Sequence, residues 1–154
     1  MTSFKKNLAR LACVAIATTA IPAAWAFKDA DGAIEYRQSV FVLVAEHVGQ
    51  MGAMIRNEKP FDANEFKYRA SSVEALSKMP LEGFSYPGAD KGKTKAKPAV
   101  WEDMKDFTAR MSKFQDNAAA LAKASASGDL DTIKPAFMET MKNCKACHTD
   151  YKNR

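Results

Sequence analysis

Apolar residues recur with a helical period along most of the chain beyond residue 31. Between 32 and 57, Ile34, Phe41, Val44, Val48 and Ile55 share one face. Tyr36, Val40, Leu43, His47 and Met54 form a second stripe beside it. One apolar face serves a core, so two adjacent faces point to a helix that also meets a partner subunit. Asp62 with Glu65 three residues on is a capping-box-like start. Phe66, Ala70, Val73 and Leu76 carry that second helix to Met79, where Pro80 ends it. Residues 81–97, with Gly83, Pro87, Gly88 and Gly92, read as a long loop, and a loop of that length in a small domain has a function or is mobile.

Pro98 predicts the opening of a third helix, a favoured place for proline. Val100, Met104, Phe107, Met111, Phe114, Ala118, Leu121 and Ser125 follow at steps of three and four, and Gly128 stops the run. Asp129 can cap a fourth helix holding Ile133, Phe137, Met141, Cys144, His148 and Tyr151. Pro135 removes one internal hydrogen bond and is expected to kink or loosen the start of this helix. No segment alternates with the period of a strand. The pattern predicts an all-α, antiparallel up-down four-helix bundle.

The first 26 residues follow different rules. Lys5, Lys6 and Arg10 precede an apolar run over 11–24, and Ala24-Trp25-Ala26 fits a small-x-small cleavage site. This is the pattern of a secretory signal peptide cleaved near Ala26, with one bundle domain over 27–154. The run is shorter than the roughly 20 residues of a spanning helix, and Pro22 interrupts it. Cys13 follows Arg10 too closely, at the start of the run, to read as a lipidated cysteine.

Export changes the charge picture. The whole chain has 154 residues and a net charge of +5. Its first 26 residues hold three of the 23 basic side chains and none of the 18 acidic ones, which leaves 128 residues at +2. A nucleic-acid role loses its basis. Lys91, Lys93, Lys95 and Lys97 still alternate through one loop, and a solvated linker is favoured there over a docking patch.

Cys144-Lys145-Ala146-Cys147-His148 is the strongest chemical signal. C-x-x-C-H reads as a c-type haem attachment site. Two thiols three residues apart project from one helical turn, where each can form a thioether to a haem vinyl group. His148 follows at once as a proximal iron ligand. The expected cofactor is one covalently attached haem c. A structural zinc site would draw on Cys144, Cys147, His148 and His47. A Cys144–Cys147 disulfide is the plainer alternative in an oxidising compartment.

The chain resembles the cytochrome c′ family, the class II c-type cytochromes with a C-terminal C-x-x-C-H. The resemblance rests on Tyr36-Arg37-Gln38-Ser39, Lys97-Pro98-Ala99-Val100-Trp101, Phe114-Gln115-Asp116-Asn117 and Cys144 to His148, and it covers nearly all of 27–154. It implies that Phe41, four residues beyond Arg37, covers the distal haem face. It also implies that Arg37 and Gln38 contact the haem propionates, which as carboxylates suit a charge-assisted partner. Thr94 and Lys95 are further candidates at the haem edge, Lys152 lies on the proximal side, and Leu81 stands where some members have Trp.

Some low-spin relatives place a Met ligand near the distal position, but no Met lies between 36 and 50. Met51 is ten residues beyond Phe41, about 15 Å along a helix. His47 is about 9 Å along and off the Arg37–Phe41 face. The iron is therefore expected to be five-coordinate and high-spin, binding nitric oxide and carbon monoxide and taking part in electron transfer with redox partner proteins in the periplasm. An antiparallel homodimer is expected, with no membrane span and no enzymatic activity. The alternatives are a six-coordinate electron carrier of the cytochrome c-556 type and a haem enzyme such as a peroxidase. The latter would need a polar acid–base group on the distal side.

Overall fold

The computed structural model describes residues 27–153. The proposed export segment, 1–26, lies outside them. The described chain forms α1 (Ala30–Ile55), α2 (Ala63–Ser77), α3 (Pro80–Ser85), α4 (Ala99–Glu102), α5 (Met104–Ser125) and α6 (Leu130–Tyr151). The long helices α1, α2, α5 and α6 make a four-helix bundle.

Aspartates start all four long helices. Asp29 accepts from the Gly32 amide, and Asp62 from the amides of Asn64 and Glu65. Asp103 accepts from Asp106, and Asp129 from Asp131 and Thr132. Each satisfies first-turn donors that have no partner inside the helix. The first helix begins two residues before the expected Gly32 because Asp29 takes the cap. It ends near Asn57, which adopts a left-handed φ of 59°. Gly128, at φ 68°, takes the same backbone region just after α5.

Three expectations need correcting. Residues 81–97 are not all loop, because Pro80 opens the short helix α3 that its fixed φ favours. The third helix is broken at Asp103, whose non-helical backbone and capping carboxylate end α4 and start α5. Pro135 does not interrupt α6, which runs continuously through it. The proline is exposed, so the hydrogen bond it denies to Asp131 is lost on the solvent side.

Helix α1 packs on α2 and α3, α2 on α5, and α5 on α6. The fourth side of the bundle, α6 against α1, is different. Near the start of α6 the two meet, and a Cβ on Gly52 would lie 3.6 Å from Phe137 Cζ. Elsewhere along that seam their backbones stay apart. One isolated antiparallel bridge, Ala96 with Lys152, ties the loop before α4 to the end of α6. No described helix is long and apolar enough to cross a membrane.

Candidate functional site: a thiol pair, an imidazole and a buried arginine at one end of the bundle

Cys144, Cys147 and His148 lie in the last two turns of α6. Both cysteines are free thiols, so the disulfide alternative does not describe this structure. They are half-buried against the core, and burial pushes both thiols up from their ordinary pKa. His148 is exposed to solvent, and its imidazole makes no hydrogen bond among the described residues. The protein packed around it, and then the charge of Lys152, lower its pKa. A neutral imidazole has a lone pair to give a metal. The zinc alternative finds no support, because no described group of three or more His, Cys, Asp or Glu could hold a metal ion. His47 instead meets the Tyr68 ring of α2 edge-on at 5.8 Å.

Aromatic rings run across the open seam from α1 to α6. Phe41 of α1 meets Phe84 of α3 at 6.4 Å, and Phe84 meets Phe107 of α5 at 4.7 Å. Phe107 then meets Tyr151 of α6 at 5.2 Å. Trp101 adds a ring 6.1 Å from Phe84 and donates its indole N–H to the Phe84 carbonyl at 2.9 Å. Phe84, Trp101 and Phe107 were not expected site residues. Phe84 sits in what reads as loop, Phe107 merges into a helical stripe, and Trp101 lies beside that stripe.

Arg37 is the unusual member. Its side chain is 1% exposed. It donates to the Gly83 carbonyl at 2.8 Å, the Ala89 carbonyl at 2.9 Å and Thr94 Oγ1 at 3.0 Å. Its guanidinium also lies 4.3 Å from the Phe84 ring centre and 5.4 Å from that of Trp101. Gly83 makes this approach possible, since a Cβ there would lie 2.7 Å from the Ala33 carbonyl oxygen. Burial lowers the Arg37 pKa to about 10, which leaves it charged at neutral pH. All three of its acceptors are neutral, and among the described residues no carboxylate pairs with it.

The other expected residues gather on the same loop. Gln38 donates to the Lys93 carbonyl at 3.0 Å. Thr94 Oγ1 accepts from the Ala96 amide as well as from Arg37. The Lys95 carbonyl accepts from Asn153, while its ammonium is exposed. Lys152 pairs through its backbone with Ala96. Thus Arg37, Gln38, Thr94, Lys95 and Lys152, far apart in sequence, converge on one strap between α1 and α6.

These residues fit a haem. Two free thiols and an available imidazole share one helix end, beside an aromatic-lined seam. A buried cation without an anion waits at the loop, where propionates would offset its desolvation. The cytochrome c′ family model matches residues 32–152. The chain belongs to the cytochrome c′ family. It is 44% identical over 129 residues to cytochrome c′ of Rubrivivax gelatinosus, covering 83% of this chain and 99% of the relative. A solved cytochrome c′ from Shewanella frigidimarina is 52% identical with a TM-score of 0.80, over 83% of this chain and 99% of that one. A nitrosyl complex of a cytochrome c′ variant from Alcaligenes xylosoxidans matches at 35% identity and TM-score 0.77, again over 83% and 99%. The cofactor of this cytochrome c′ family member is haem c.

Proposed function

We propose that this chain is an exported mono-haem cytochrome of the c′ type, with a five-coordinate iron that binds nitric oxide and carbon monoxide. The observation that carries this reading is the placement of two free thiols packed against the core, with the exposed imidazole of His148 beside them on the same helix end. Cys144 and Cys147 would hold the haem, and His148 would be its axial ligand. When bound, the haem supplies an iron that takes up small diatomic molecules and exchanges one electron. Arg37 holds positive charge for the propionates, with Gln38, Thr94 and Lys95 beside it, and Lys152 lies on the proximal side. Phe41 fills the distal side without offering a hydrogen bond. That favours nitric oxide and carbon monoxide over dioxygen, whose bound form gains from a hydrogen bond, and gives no acid–base group for peroxidase chemistry.

Electron transfer is a second reading with its own support. Lys91, Lys93, Lys95 and Lys152 are exposed, and among the described residues none is in an ion pair. They offer an acidic redox partner a positive surface on the strap. The homodimer draws on Val42 and Leu43 of α1 and Tyr68 of α2, which are 67%, 51% and 65% exposed.

The optical spectrum of the ferrous protein tests the gas-binding reading. A broad high-spin spectrum that sharpens on adding carbon monoxide is expected. A sharp α band before any gas is added would show a sixth protein ligand and overturn it.

A further inference from the structure

The end of α6 is held from two sides. On one side the loop grips it. The Lys97 amide donates to the Tyr151 carbonyl at 2.9 Å, the Lys97 ammonium to the Thr149 carbonyl at 2.8 Å, and the Asn153 amide to the Lys95 carbonyl at 2.8 Å. On the other side is a charged network with α5. The Tyr151 hydroxyl donates to Asp106 Oδ2 at 2.5 Å, and Arg110 Nε donates to the same oxygen at 2.7 Å. Arg110 also donates to Asp150 Oδ2 at 2.7 Å, with its guanidinium 5.2 Å from the Tyr151 ring centre.

A helix end without such contacts frays, because its last carbonyls lack partners within the helix. Here the fraying turn carries the working groups. Tyr151 lies one turn beyond Cys147 and His148. Asp106 sits in the first turn of α5, where its own amide is fixed by the Asp103 cap. Tyr151 is 8% exposed and packs edge-on against Phe107, so both ends of its ring are fixed. Groups that orient a metal-binding histidine shape its bond to the metal without touching the metal themselves.

We propose that Tyr151, Asp106 and Arg110 are positioning residues for His148, clamping the last turn of α6 onto α5 so that the imidazole meets the iron in one orientation. The proposal rests on the reading of His148 as the axial ligand. Two readouts on the ferrous holoprotein test it: the iron–histidine stretching band in resonance Raman, and amide hydrogen exchange across residues 147–151. Tyr151→Phe should shift and broaden the band. It should also speed exchange in that turn by roughly tenfold or more, the scale for losing a hydrogen bond to a charged group. Arg110→Lys keeps the charge and should fall between the variant and wild type. Glu65→Gln breaks a comparable network at the start of α2, with Lys59 before the helix and Arg69 within it, and it should leave both readouts unchanged.

A lowered melting temperature in Tyr151→Phe with an unmoved band and unchanged exchange would reduce the network to ordinary stabilisation and overturn the proposal. If Tyr151→Phe does not accumulate, Asp106→Asn removes the shared acceptor charge and carries the same two readouts. Failure of the axial-ligand reading looks different. The wild-type protein would then show no iron–histidine band, and the exchange measurement would still decide whether the clamp holds the turn.

Discussion

Where α1 finishes and α6 begins, Met51, Met54, Phe66, Leu121 and Ile133 are fully shut off from solvent. At the opposite end of the same helices, Phe41, Trp101, Met104, Cys144 and Cys147 are only partly buried. The first end closes with side chains alone: Phe66 meets Phe137 at 6.3 Å, and α1 comes close to α6 at Gly52. The second end keeps those two helices apart, spans the seam with rings of which Phe84, Phe107 and Tyr151 are buried and Phe41 and Trp101 only partly so, and buries a cation that no described carboxylate neutralises. A protein interior is close-packed, and the contrast fits the proposal that the second end packs around the haem that Cys144 and Cys147 would hold.

The largest effect should come from removing the attachment point. Cys144→Ser with Cys147→Ser should abolish covalently held haem, seen as loss of haem from the protein band on a denaturing gel. In that variant amide exchange should quicken at the Cys144 end while amides around Met51 and Ile133 remain protected. Equal loss of protection at both ends would break the comparison.

Truncation at the two ends should then separate stability from ligand access. Phe66→Ala should cost about 3–5 kcal/mol in denaturant unfolding, the range for deleting a buried ring. Phe41→Ala should cost clearly less and instead speed carbon monoxide binding to the ferrous protein in stopped-flow mixing. Unchanged binding kinetics would remove Phe41 from the distal side.

Arg37→Leu should cost roughly 2–3 kcal/mol, because it leaves the carbonyls of Gly83 and Ala89 without their donor. The loss should be larger with haem bound than in the haem-free chain, where the buried charge has no anion to offset its desolvation. Unfolding curves of the two forms compare these costs directly.

The smallest expected effect is a pH dependence at the closed end. Hydrogen bonds from Lys59 and then Arg69 hold the Glu65 carboxyl below its ordinary pKa of 4.5. Its contribution is therefore complete above that value and is lost as pH falls through the lower folded pKa. Wild type should lose more melting temperature than Glu65→Gln between pH 6 and pH 3.

Local features were legible in the sequence. The helices announced themselves by period, and two of them by their capping residues, Asp62 and Asp129. The thiols and imidazole announced themselves because C-x-x-C-H occupies a single stretch of chain. The Pro80 helix and the break at Asp103 were hidden in a loop-like composition and in an unbroken apolar stripe. Phe84 and Phe107 carried no signal of their own, since an aromatic residue reads the same in any core.

Sequence alone determined which residues can bind a haem covalently, because that chemistry depends on neighbours along one helix. It also determined the absence of methionine between 36 and 50, which limits the iron's distal ligands. Tertiary structure decided the rest of the site. Arg37 meets Gly83, Ala89 and Thr94 across 46 to 57 residues of sequence, and Tyr151 reaches Asp106 across 45. Contacts at such separations leave no periodic trace in the chain, and they arise when packing brings the helices together.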